Sequence, residues 1–459
     1  MSEVRTAINE AIGDVIIGTV HPNDCGGLSL QVDGCCQTPL APAFPACDPS
    51  GRILGHRGVF RVPVPEVSEP REARVRLVRY GQCLDEKQLL IAPIVHASGI
   101  SARDVLALHK FPLVAPNGIA MHAGLLEMTG LALAPYGDAS RVSVKVDGLE
   151  TGFDFLYPLP SRDAQATYWY WPNADYATFK ISIDLRARQR RFASPHYRIE
   201  FSFDAEDSPL RHLKNCFYVP KSMAAYETFP GNDRLQRVQR FENAHSVAVR
   251  GYSDCMRIAS LARHYGLSSD GVRVLDWGCG HGRVIRHLCS VEERAVPTGI
   301  DIDADNIRWA QENLPEVAFS VGPLMPPTAF AEGAFDLVYG ISVMTHLTAD
   351  VQIAWLREIR RILAPGGLAL LTFAGDTSVA FASRYLDPVW IANYRRHGSG
   401  ADLPSNDLEG LISDPSYYKN VKLSAAAVAQ RCGEFFEVLD VLECMFGYQD
   451  VAVLRRPFG

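Results

Sequence analysis

A glycine-rich stretch in the second half of the chain constrains the fold more than any other feature of the sequence. Residues 274–283 read VLDWGCGHGR, an apolar run that passes through three glycines into a helix-like pattern. Gly278, Gly280 and Gly282 let the backbone turn tightly and approach a ligand closely. N–H groups at the start of a following helix favour an anion, so we expect a ligand carboxylate or phosphate to bind here.

The pattern around this stretch predicts a doubly wound α/β domain. From about residue 250 onward, strand-like runs (GVRVLDWG, AVPTGID, VAFSV, FDLVYGI, LALLTF) alternate with helix-like runs (RVIRHLCS, DADNIRWAQENL, TADVQIAWLREIRRIL), which indicates βαβ units and a parallel sheet. Asp303 is placed to cap the second helix. After an irregular stretch at 375–420, FFEVLDVLE and QDVAVLRRP predict a terminal hairpin that turns at Gly447.

The spacing of the glycines separates two kinds of ligand. A dinucleotide fingerprint has the spacing G-x-G-x-x-G, but Arg283 lies where its third glycine would fall. Asp276 in the preceding strand disfavours a pyrophosphate and suits a ligand with an ammonium group. Residues 276–282 resemble the first motif of the class I S-adenosylmethionine-dependent methyltransferases, an acidic residue followed by G-x-G-x-G.

The resemblance covers about residues 235–457. TGIDID at 298–303 is similar to the second-strand motif of that family, FDLVYGISVMTHL to its fourth-strand segment, and IRRILAPGGLALLTF and GYQDVAVLRRP to its later elements. It implies S-adenosyl-L-methionine as cofactor, with Asp301 accepting hydrogen bonds from the ribose hydroxyls and Ile302 lying against the adenine. The cofactor residues that it implies are Asp276, Gly278, Cys279, Gly280, His281, Gly282, Asp301, Ile302, Gly340, Ile341 and Ser342.

Two parts of the expected cofactor site match the family less closely. Many members carry an aspartate after the third strand that bonds the adenine amino group, and here that stretch reads VGPLMPPT. We expect backbone groups of Pro323 and Leu324 to replace it. Residues 230–254 resemble the lead-in segment of bacterial relatives that modify sugars. From there Arg237 or Tyr252 reaches the methionine carboxylate, or each is an ordinary packing or surface residue.

A histidine is the candidate catalytic residue. Methyl transfer from a sulfonium is an in-line displacement that depends mainly on alignment, but a hydroxyl acceptor must also lose its proton to a base. His346 follows the fourth strand and so lies at the carboxyl edge of the sheet, where doubly wound folds bind ligands. The alternative is a capping histidine. His397 and the pair Tyr417-Tyr418 are reserve candidates in the 375–420 stretch, which is long enough to be an acceptor lid.

The first half of the chain alternates apolar and polar residues at every second position. DVIIGTV followed by LSLQVDG matches EMTGLAL followed by VSVKVDG, and each pair closes on an Asp-Gly hairpin signal. We interpret these blocks as two tandem all-β sandwich modules joined by a linker at 110–118. The predicted domains are therefore a β-sandwich at 1–110, a second β-sandwich at 111–215 and a Rossmann-like methyltransferase domain at 216–459.

Two clusters in the second module have a structural and a functional interpretation. The aromatic run Tyr168 to Trp171 suits stacking on sugar rings, whereas strand alternation would place Trp169 and Trp171 in the core, which we favour. The arginines at 186, 188, 190 and 191 suit a phosphate or nucleic acid, whereas a solvated turn fits the rest of the sequence better.

Composition narrows the class of protein. The 45 basic and 52 acidic residues give a net charge of -7, which disfavours a nucleic-acid partner. No apolar run reaches the roughly 18 residues of a membrane span, and the start of the chain, MSEVRTAINEAIGDV, is too acidic for a signal peptide. These features predict a cytoplasmic protein. Eleven cysteines without a C-x-x-C pair favour free thiols over a disulfide framework or metal site, although Cys25, Cys35, Cys36, Cys47 and Cys83 crowd together.

The sequence thus predicts a methyltransferase that acts on a small-molecule or glycan substrate, with a saccharide hydroxyl as the expected acceptor. The saccharide rests on the resemblance to enzymes of bacterial polysaccharide biosynthesis. The alternatives are methylation of a nitrogen or oxygen of a non-sugar metabolite, and a scaffold or glycan-binding protein without turnover. An oxidoreductase that uses a nicotinamide cofactor is the weakest alternative.

Overall fold

The computed structural model places most of the chain. The described residues are 7–12, 15–21, 27–34, 36–39, 58–64, 67, 69–93, 95, 99–109, 113–133, 143–171, 174, 177–186, 194–202, 210–222, 229–230, 244–268, 270–405 and 417–458. The chain divides into two compact units. Unit 1 comprises residues 1–194, 200–206 and 380–388, and unit 2 comprises residues 195–199, 207–379 and 389–459.

Unit 1 consists mainly of antiparallel strands, and the last of them begins in residues 196–199, which belong to unit 2. The strands up to residue 202 are β1 (Ala7–Ile12), β2 (Val15–Val20), β3 (Leu28–Val32), β4 (Cys36–Pro39), β5 (Gly58–Pro63), β6 (Arg71–Arg79), β7 (Gln82–Ile91), β8 (Leu113–His122), β9 (Leu125–Leu133), β10 (Ser143–Val146), β11 (Leu149–Glu150), β12 (Asp154–Leu159), β13 (Thr178–Asp184) and β14 (His196–Ser202). Two short helices are α1 (Ala102–Leu106) and α2 (Arg162–Thr167). Strand orders include β1-β2-β5, β4-β3-β6-β7 and β12-β13-β9-β8.

Strands β1, β2, β3, β5, β6 and β7 contribute buried side chains to one hydrophobic core. Ile8 and Ile16 come from the β1-β2-β5 sheet, while Leu30, Val75 and Ile91 come from the β4-β3-β6-β7 sheet, and all five side chains are buried in the same cluster. A core shared by two antiparallel sheets agrees with the sandwich interpretation. The division into two modules stays a prediction.

Each Asp-Gly pair forms a hairpin turn between the strand that it closes and the next strand, and not a hairpin between the two strands matched in the sequence. Asp33 and Gly34 connect β3 to β4 with φ values of 51° and 73°, and Asp147 and Gly148 connect β10 to β11 with φ values of 51° and 78°. Positive φ at both central residues defines the type I′ turn that suits strand twist. The strand formed by DVIIGTV, β2, does not pair with β3. It pairs with β1 and β5 in a different sheet.

The linker predicted at 110–118 is wrong for residues 113–118. These residues are the first half of β8, which pairs with β9 from Leu113↔Leu133 to His122↔Leu125. Pro116 and Gly118 resemble a loop locally, but the register shifts between them, and a bulge of this kind accommodates a proline within a sheet. Long-range pairing therefore overrides the local turn signal.

The aromatic run at 168–171 is not a strand. It forms the turn after α2, in which Tyr168, Tyr170 and Trp171 are buried and Trp169 is half-buried. The core interpretation is therefore right for Trp171 and wrong for Trp169, because the segment is a turn and does not alternate as a strand would. Arg186 of the basic cluster is exposed and pairs with Asp184, and the other three arginines lie outside the described residues.

Unit 2 contains a seven-stranded sheet. Its elements are β15 (Cys216–Pro220), α3 (Ala244–His264), β16 (Arg273–Trp277), α4 (Leu288–Val291), β17 (Val296–Asp301), α5 (Ala304–Asn313), β18 (Ala318–Val321), β19 (Phe335–Gly340), α6 (Ala349–Ile362), β20 (Leu363–Phe373), α7 (Asp376–Ala382), α8 (Pro388–His397), β21 (Leu403–Pro404), β22 (Lys419–Asn420), α9 (Ala425–Gly433), β23 (Glu437–Phe446) and β24 (Gln449–Arg455). The strand order is β18-β17-β16-β19-β20-β24-β23. Strands β16 to β20 are parallel, and β24 runs antiparallel to both of its neighbours. This confirms a Rossmann-like doubly wound sheet and its terminal hairpin.

Side-chain alternation in β16 gives this sheet two buried faces. Val274 packs in the cluster that contains Ile258 of α3, and Leu275 packs in the cluster that contains Trp355 and Ile359 of α6. A parallel sheet covered on both faces explains the nearly continuous apolar runs in the sequence. In the described part of the chain, no helix has the length and apolar character required to cross a membrane.

Two local predictions in unit 2 are corrected. The stretch at 375–420 is not irregular throughout, because it contains α7, α8 and the paired strands β21 and β22. The helix expected directly after the glycine loop is a 3-10 turn, Ile285–His287, followed by the single turn of α4. Asp303 caps α5 as predicted, and its carboxylate accepts hydrogen bonds from the N–H groups of Asp305 and Asn306.

Candidate functional site

The site lies where the order of the parallel strands reverses. β16 has β17 on one side and β19 on the other, so the chain leaves its carboxyl end in one direction and later returns on the opposite side. The ends of these strands bring Trp277, Asp301 and Gly340 to one edge of the sheet. Doubly wound sheets bind ligands in the crevice at such a switch point.

The three glycines of the loop after β16 are required by its backbone. Gly278, Gly280 and Gly282 have φ values of 78°, 55° and 80°, a region that other L residues rarely adopt. A Cβ on Gly278 would lie 2.4 Å from Cγ2 of Val343, and one on Gly282 would lie 2.8 Å from Cδ1 of Leu314. The loop therefore packs directly against its neighbours, and any side chain at these positions displaces it.

The first three N–H groups of the loop already have acceptors. Those of Gly278 and Cys279 donate to the carbonyl oxygen of Ile300 at 2.8 and 3.0 Å, and that of Gly280 donates to Oδ2 of Asp301 at 2.8 Å. These three N–H groups are therefore not available to an anion, and the anion contact expected at the N–H groups of the following turn stays a prediction. The actual function of the three groups is to fix the loop after β16 to the end of β17.

Asp301 at the end of β17 has the donor-acceptor pattern that a ribose diol requires. Oδ2 accepts from the N–H of Gly280 and Oδ1 accepts from the N–H of Asp303, each at 2.8 Å. Each carboxylate oxygen has about two acceptor positions, so both oxygens retain one for a ligand hydroxyl. Burial raises the pKa of Asp301, and the backbone donors oppose that rise. Ile302 follows it directly and is half-buried, so the residues present fit a nucleoside.

Asp276 lies deeper than the sequence suggested. Asp276 is only 4% exposed. Burial raises the pKa of this carboxyl group to about 7, against the lowering effects of Tyr339 and Arg283. Asp276 therefore lies within the core, and its contact with a ligand ammonium stays a prediction.

His281 and Cys279 of the loop are both buried. The side chain of His281 is fully buried, its ring meets that of Trp309 edge to face at 5.9 Å, and burial lowers its pKa to about 4. Neither ring nitrogen has a hydrogen-bond partner among the described residues. Buried polar atoms of this kind are rare in folded proteins, and a ligand group is one way to satisfy them. Cys279 packs against Gly299.

The segment after β19 is held in an unusual conformation. Ser342 has a φ of 61°, its N–H donates to Oγ1 of Thr372 at 2.7 Å, and its Oγ accepts from Nε2 of Gln449 at 2.7 Å. A Cβ on Gly340 would lie 2.9 Å from the Trp277 ring. Strained backbone fixed by its surroundings is typical of ligand sites, and the sequence did not identify Thr372 and Gln449. Ile341 packs on the core that contains Val274.

His346 and Tyr418, predicted as separate candidates, lie together. Their rings stack with centroids 4.4 Å apart and planes 9° apart. Leu347 forms an antiparallel bridge with Tyr418, and the N–H of Val421 donates to the carbonyl of Thr345 at 2.8 Å. The 417–423 segment thus runs alongside the residues that follow β19. His397 is exposed at the end of α8.

Pro323 and Leu324, the residues expected to contact the adenine, do not both have a backbone carbonyl available for its amino group. Pro323 is exposed, and the carbonyl oxygen of Leu324 accepts from Nε1 of Trp355 at 3.3 Å and from the Tyr417 hydroxyl. Two donors fill both lone pairs of that oxygen. An adenine amino group therefore cannot use the Leu324 carbonyl while both bonds are made.

Of the two residues expected to contact the methionine carboxylate, the structure describes Tyr252 but not Arg237. Tyr252 of α3 is buried and stacks on His196, with ring centroids 3.6 Å apart, and burial raises its pKa to about 12. The described structure thus gives Tyr252 a packing function, and its contact with a cofactor carboxylate stays a prediction. Arg237 lies outside the described residues.

Comparison with known proteins agrees with this geometry. Residues 274–367 match the family model described as a methyltransferase domain. The chain is 28% identical over 148 residues to the ubiquinone biosynthesis O-methyltransferase of Maricaulis maris, covering 30% of this chain and 57% of that protein. It is 32% identical over 123 residues to the fatty-acid O-methyltransferase of Mycolicibacterium smegmatis, covering 26% of this chain and 41% of that protein. The chain thus spans about half the length of these relatives.

A solved structure of a methyltransferase from Methanosarcina mazei, described as S-adenosylmethionine-dependent, is 21% identical, with a TM-score of 0.32, over 43% of this chain and 98% of that one. Residues 274–367 thus match a methyltransferase domain, and the strand order and the residues around Asp301 fit S-adenosylmethionine as its cofactor.

Proposed function

We propose that the whole protein transfers a methyl group from S-adenosylmethionine to an oxygen atom of a small-molecule acceptor. The observation that carries this proposal is the carboxylate of Asp301, which is fixed at the strand switch point by two backbone N–H groups and retains acceptor capacity on both oxygens. A ribose with two adjacent hydroxyls matches that arrangement. A pyridine dinucleotide fits less well, because the glycine loop uses its N–H groups internally.

The bound cofactor supplies an electrophilic methyl group on a sulfonium. Asp301 holds the ribose and the glycine loop fixes the floor of the crevice, so the chain's main contribution is alignment of the acceptor. His346 accepts the proton that the acceptor hydroxyl loses as the new carbon–oxygen bond forms. Nδ1 of His346 is buried, and we therefore assign Nε2 as the nitrogen that takes this proton. Tyr418 holds the ring plane by stacking on it.

Three kinds of acceptor are consistent with oxygen as the nucleophile. The saccharide hydroxyl predicted from the sequence rests on the lead-in segment at 230–254. The names of the two relatives point to a ubiquinone precursor and to a fatty acid. The experiment below includes all three acceptor classes. If none is methylated, the alternative is a non-catalytic glycan-binding protein.

Transfer of methyl label from S-adenosylmethionine to a panel of nucleotide sugars, phenols and fatty acids tests the proposal. We expect one acceptor class to take up label. With a sugar or phenol hydroxyl as acceptor, we expect His346→Asn to lower kcat by about 100-fold or more, as removal of a general base does, whereas a fatty-acid carboxylate has no proton to lose and needs no base. His264→Asn, at an exposed histidine at the end of α3, is the matched control. Full activity of His346→Asn would overturn the assignment of the base, and absence of both cofactor binding and transfer would overturn the function.

A further inference from the structure

A half-buried lysine lies close to the proposed catalytic histidine and is used by no step above. Nζ of Lys422 donates to Oγ of Ser378, in α7, at 2.6 Å. Within the described part of the chain, no carboxylate forms an ion pair with this ammonium group. An ammonium has three N–H donors, so Ser378 satisfies only one of them.

The surroundings of Lys422 are unfavourable for a lone cation. Val421 and Leu423 on either side of it are buried at 5% and 2% exposure, and burial lowers the pKa of Lys422 to about 8. Removing a charge from water without a partner costs free energy, and buried charges are therefore normally paired. An anion that binds here would supply the missing partner.

Backbone hydrogen bonds place Lys422 at the carboxyl edge of the sheet. The N–H of Val421 donates to the carbonyl of Thr345 at 2.8 Å, and the N–H of Leu423 donates to the carbonyl of Ala374 at 3.0 Å. Thr345 precedes His346 in the chain, and Ala374 directly follows β20. Lys422 is therefore held between the segments that leave β19 and β20, on the side of the sheet where an acceptor must approach the base.

We propose that Lys422 and Ser378 bind an anionic oxygen group of the methyl acceptor, such as a carboxylate or the phenolate of an acidic phenol. This inference rests on the proposed function and narrows its acceptor to a small organic acid that also carries the hydroxyl to be methylated. The ammonium offers two further N–H donors, and charge-assisted hydrogen bonds of this type are about twice as strong as neutral ones. Lys422 is thus a residue that determines specificity, while proton removal stays with His346.

Chemical labelling of Lys422 tests the inference without knowledge of the natural acceptor. The full-length protein, loaded with S-adenosylmethionine, is treated with an amine-acylating reagent, and the rate of acylation at Lys422 is followed by mass spectrometry. Benzoate and octanoate serve as probes, with benzamide and octanamide as their uncharged counterparts. We expect the acids to slow acylation of Lys422 at least several-fold and the amides to have no effect. Equal rates with acids and amides would overturn the inference.

Variants separate this site from the cofactor site. Calorimetric titration with benzoate and octanoate measures acid binding in variants that lack the labelled amine. Lys422→Met should weaken that binding by about 10-fold or more, in line with the loss of a hydrogen bond to a charged group, and Lys422→Arg should restore part of it. Lys419→Met is the matched control, because Lys419 lies in β22, three residues before Lys422. Cofactor affinity should stay unchanged in all three. If the wild-type protein binds no S-adenosylmethionine, the proposed function fails, whereas unchanged acid binding by Lys422→Met alongside normal cofactor affinity contradicts only this inference.

Discussion

The rings of His346 and Tyr418 stack almost in parallel, 4.4 Å apart between centroids, although 72 positions separate them in the chain. The bridge between Leu347 and Tyr418 fixes the two backbones at the same place. The histidine is thus oriented by a segment that folds back from beyond α8. Stacking restricts rotation of the imidazole.

Changing Tyr418 should separate the contribution of its ring from that of its hydroxyl. Tyr418→Phe retains the stack, and we expect its kcat to stay within about two-fold of wild type. Tyr418→Ala removes a contact of the kind that contributes about 0.5–1.5 kcal/mol, and we expect kcat to fall by roughly 2- to 10-fold. Steady-state kinetics at saturating cofactor measures both. Wild-type kcat in the alanine variant would show that the stack does not position His346.

The glycine loop should tolerate no Cβ at its first position. Gly278→Ala combines a φ of 78° with a clash at 2.4 Å from Cγ2 of Val343. Gly271→Ala is the matched control, because Gly271 has a φ of 67° but open space where the Cβ would lie. Left-handed backbone costs an L residue about 1–2 kcal/mol, so Gly271→Ala should lower stability by that amount and Gly278→Ala by more.

The double variant Gly278→Ala with Val343→Ala checks the origin of that difference. Removal of the Val343 methyl groups should recover the part of the lost stability that comes from the clash and leave the part that comes from φ. Thermal unfolding of wild type, Gly278→Ala, Val343→Ala, the double variant and Gly271→Ala gives these values. Equal destabilisation by Gly271→Ala and Gly278→Ala would contradict the close packing of the loop.

Asp276 should make stability depend on pH. Its folded-state pKa is raised from 3.8 to about 7, so the folded protein holds a proton that the unfolded chain releases. Stability from this group is fully present below about pH 4 and is lost as pH rises through 7. We expect Asp276→Asn to flatten the fall in melting temperature between pH 5 and pH 8, approximate limits chosen around that pKa. Asp305→Asn, at an exposed carboxylate, should leave that slope unchanged, and an unchanged slope in Asp276→Asn would show that Asp276 is ionised throughout.

Local pattern predicts the sheet of unit 2 well, because its strands are buried on both faces and its helices are amphipathic. The run VLDWG and the hairpin around Gly447 carry unambiguous signals of this kind. The helices α7 and α8 were missed since they are short and lie in a stretch without a clear apolar face. In β8, Pro116 signals a turn that pairing with β9 overrides.

Two parts of the candidate site, the glycine turn and Asp301, could be predicted from the sequence, because each belongs to a short motif at the end of a strand. Two features required three-dimensional contacts. The acceptors of the loop N–H groups, Ile300 and Asp301, come from the adjoining strand, and no local pattern reveals that pairing. Lys422 carries a weak sequence signal, a lysine between the apolar residues Val421 and Leu423, which gains meaning only when Ser378 is seen beside it.

Calorimetric titration of the protein with S-adenosylmethionine, with wild type and Asp301→Ala compared, tests the central claim most directly. We expect the wild type to bind the cofactor and Asp301→Ala to bind it about 10- to 100-fold more weakly, because two hydrogen bonds to a charged carboxylate are lost. Asp305→Ala, in the first turn of α5, should bind like wild type. Absence of binding by the wild type, or equal affinity in Asp301→Ala, would contradict the assignment of this crevice as the cofactor site.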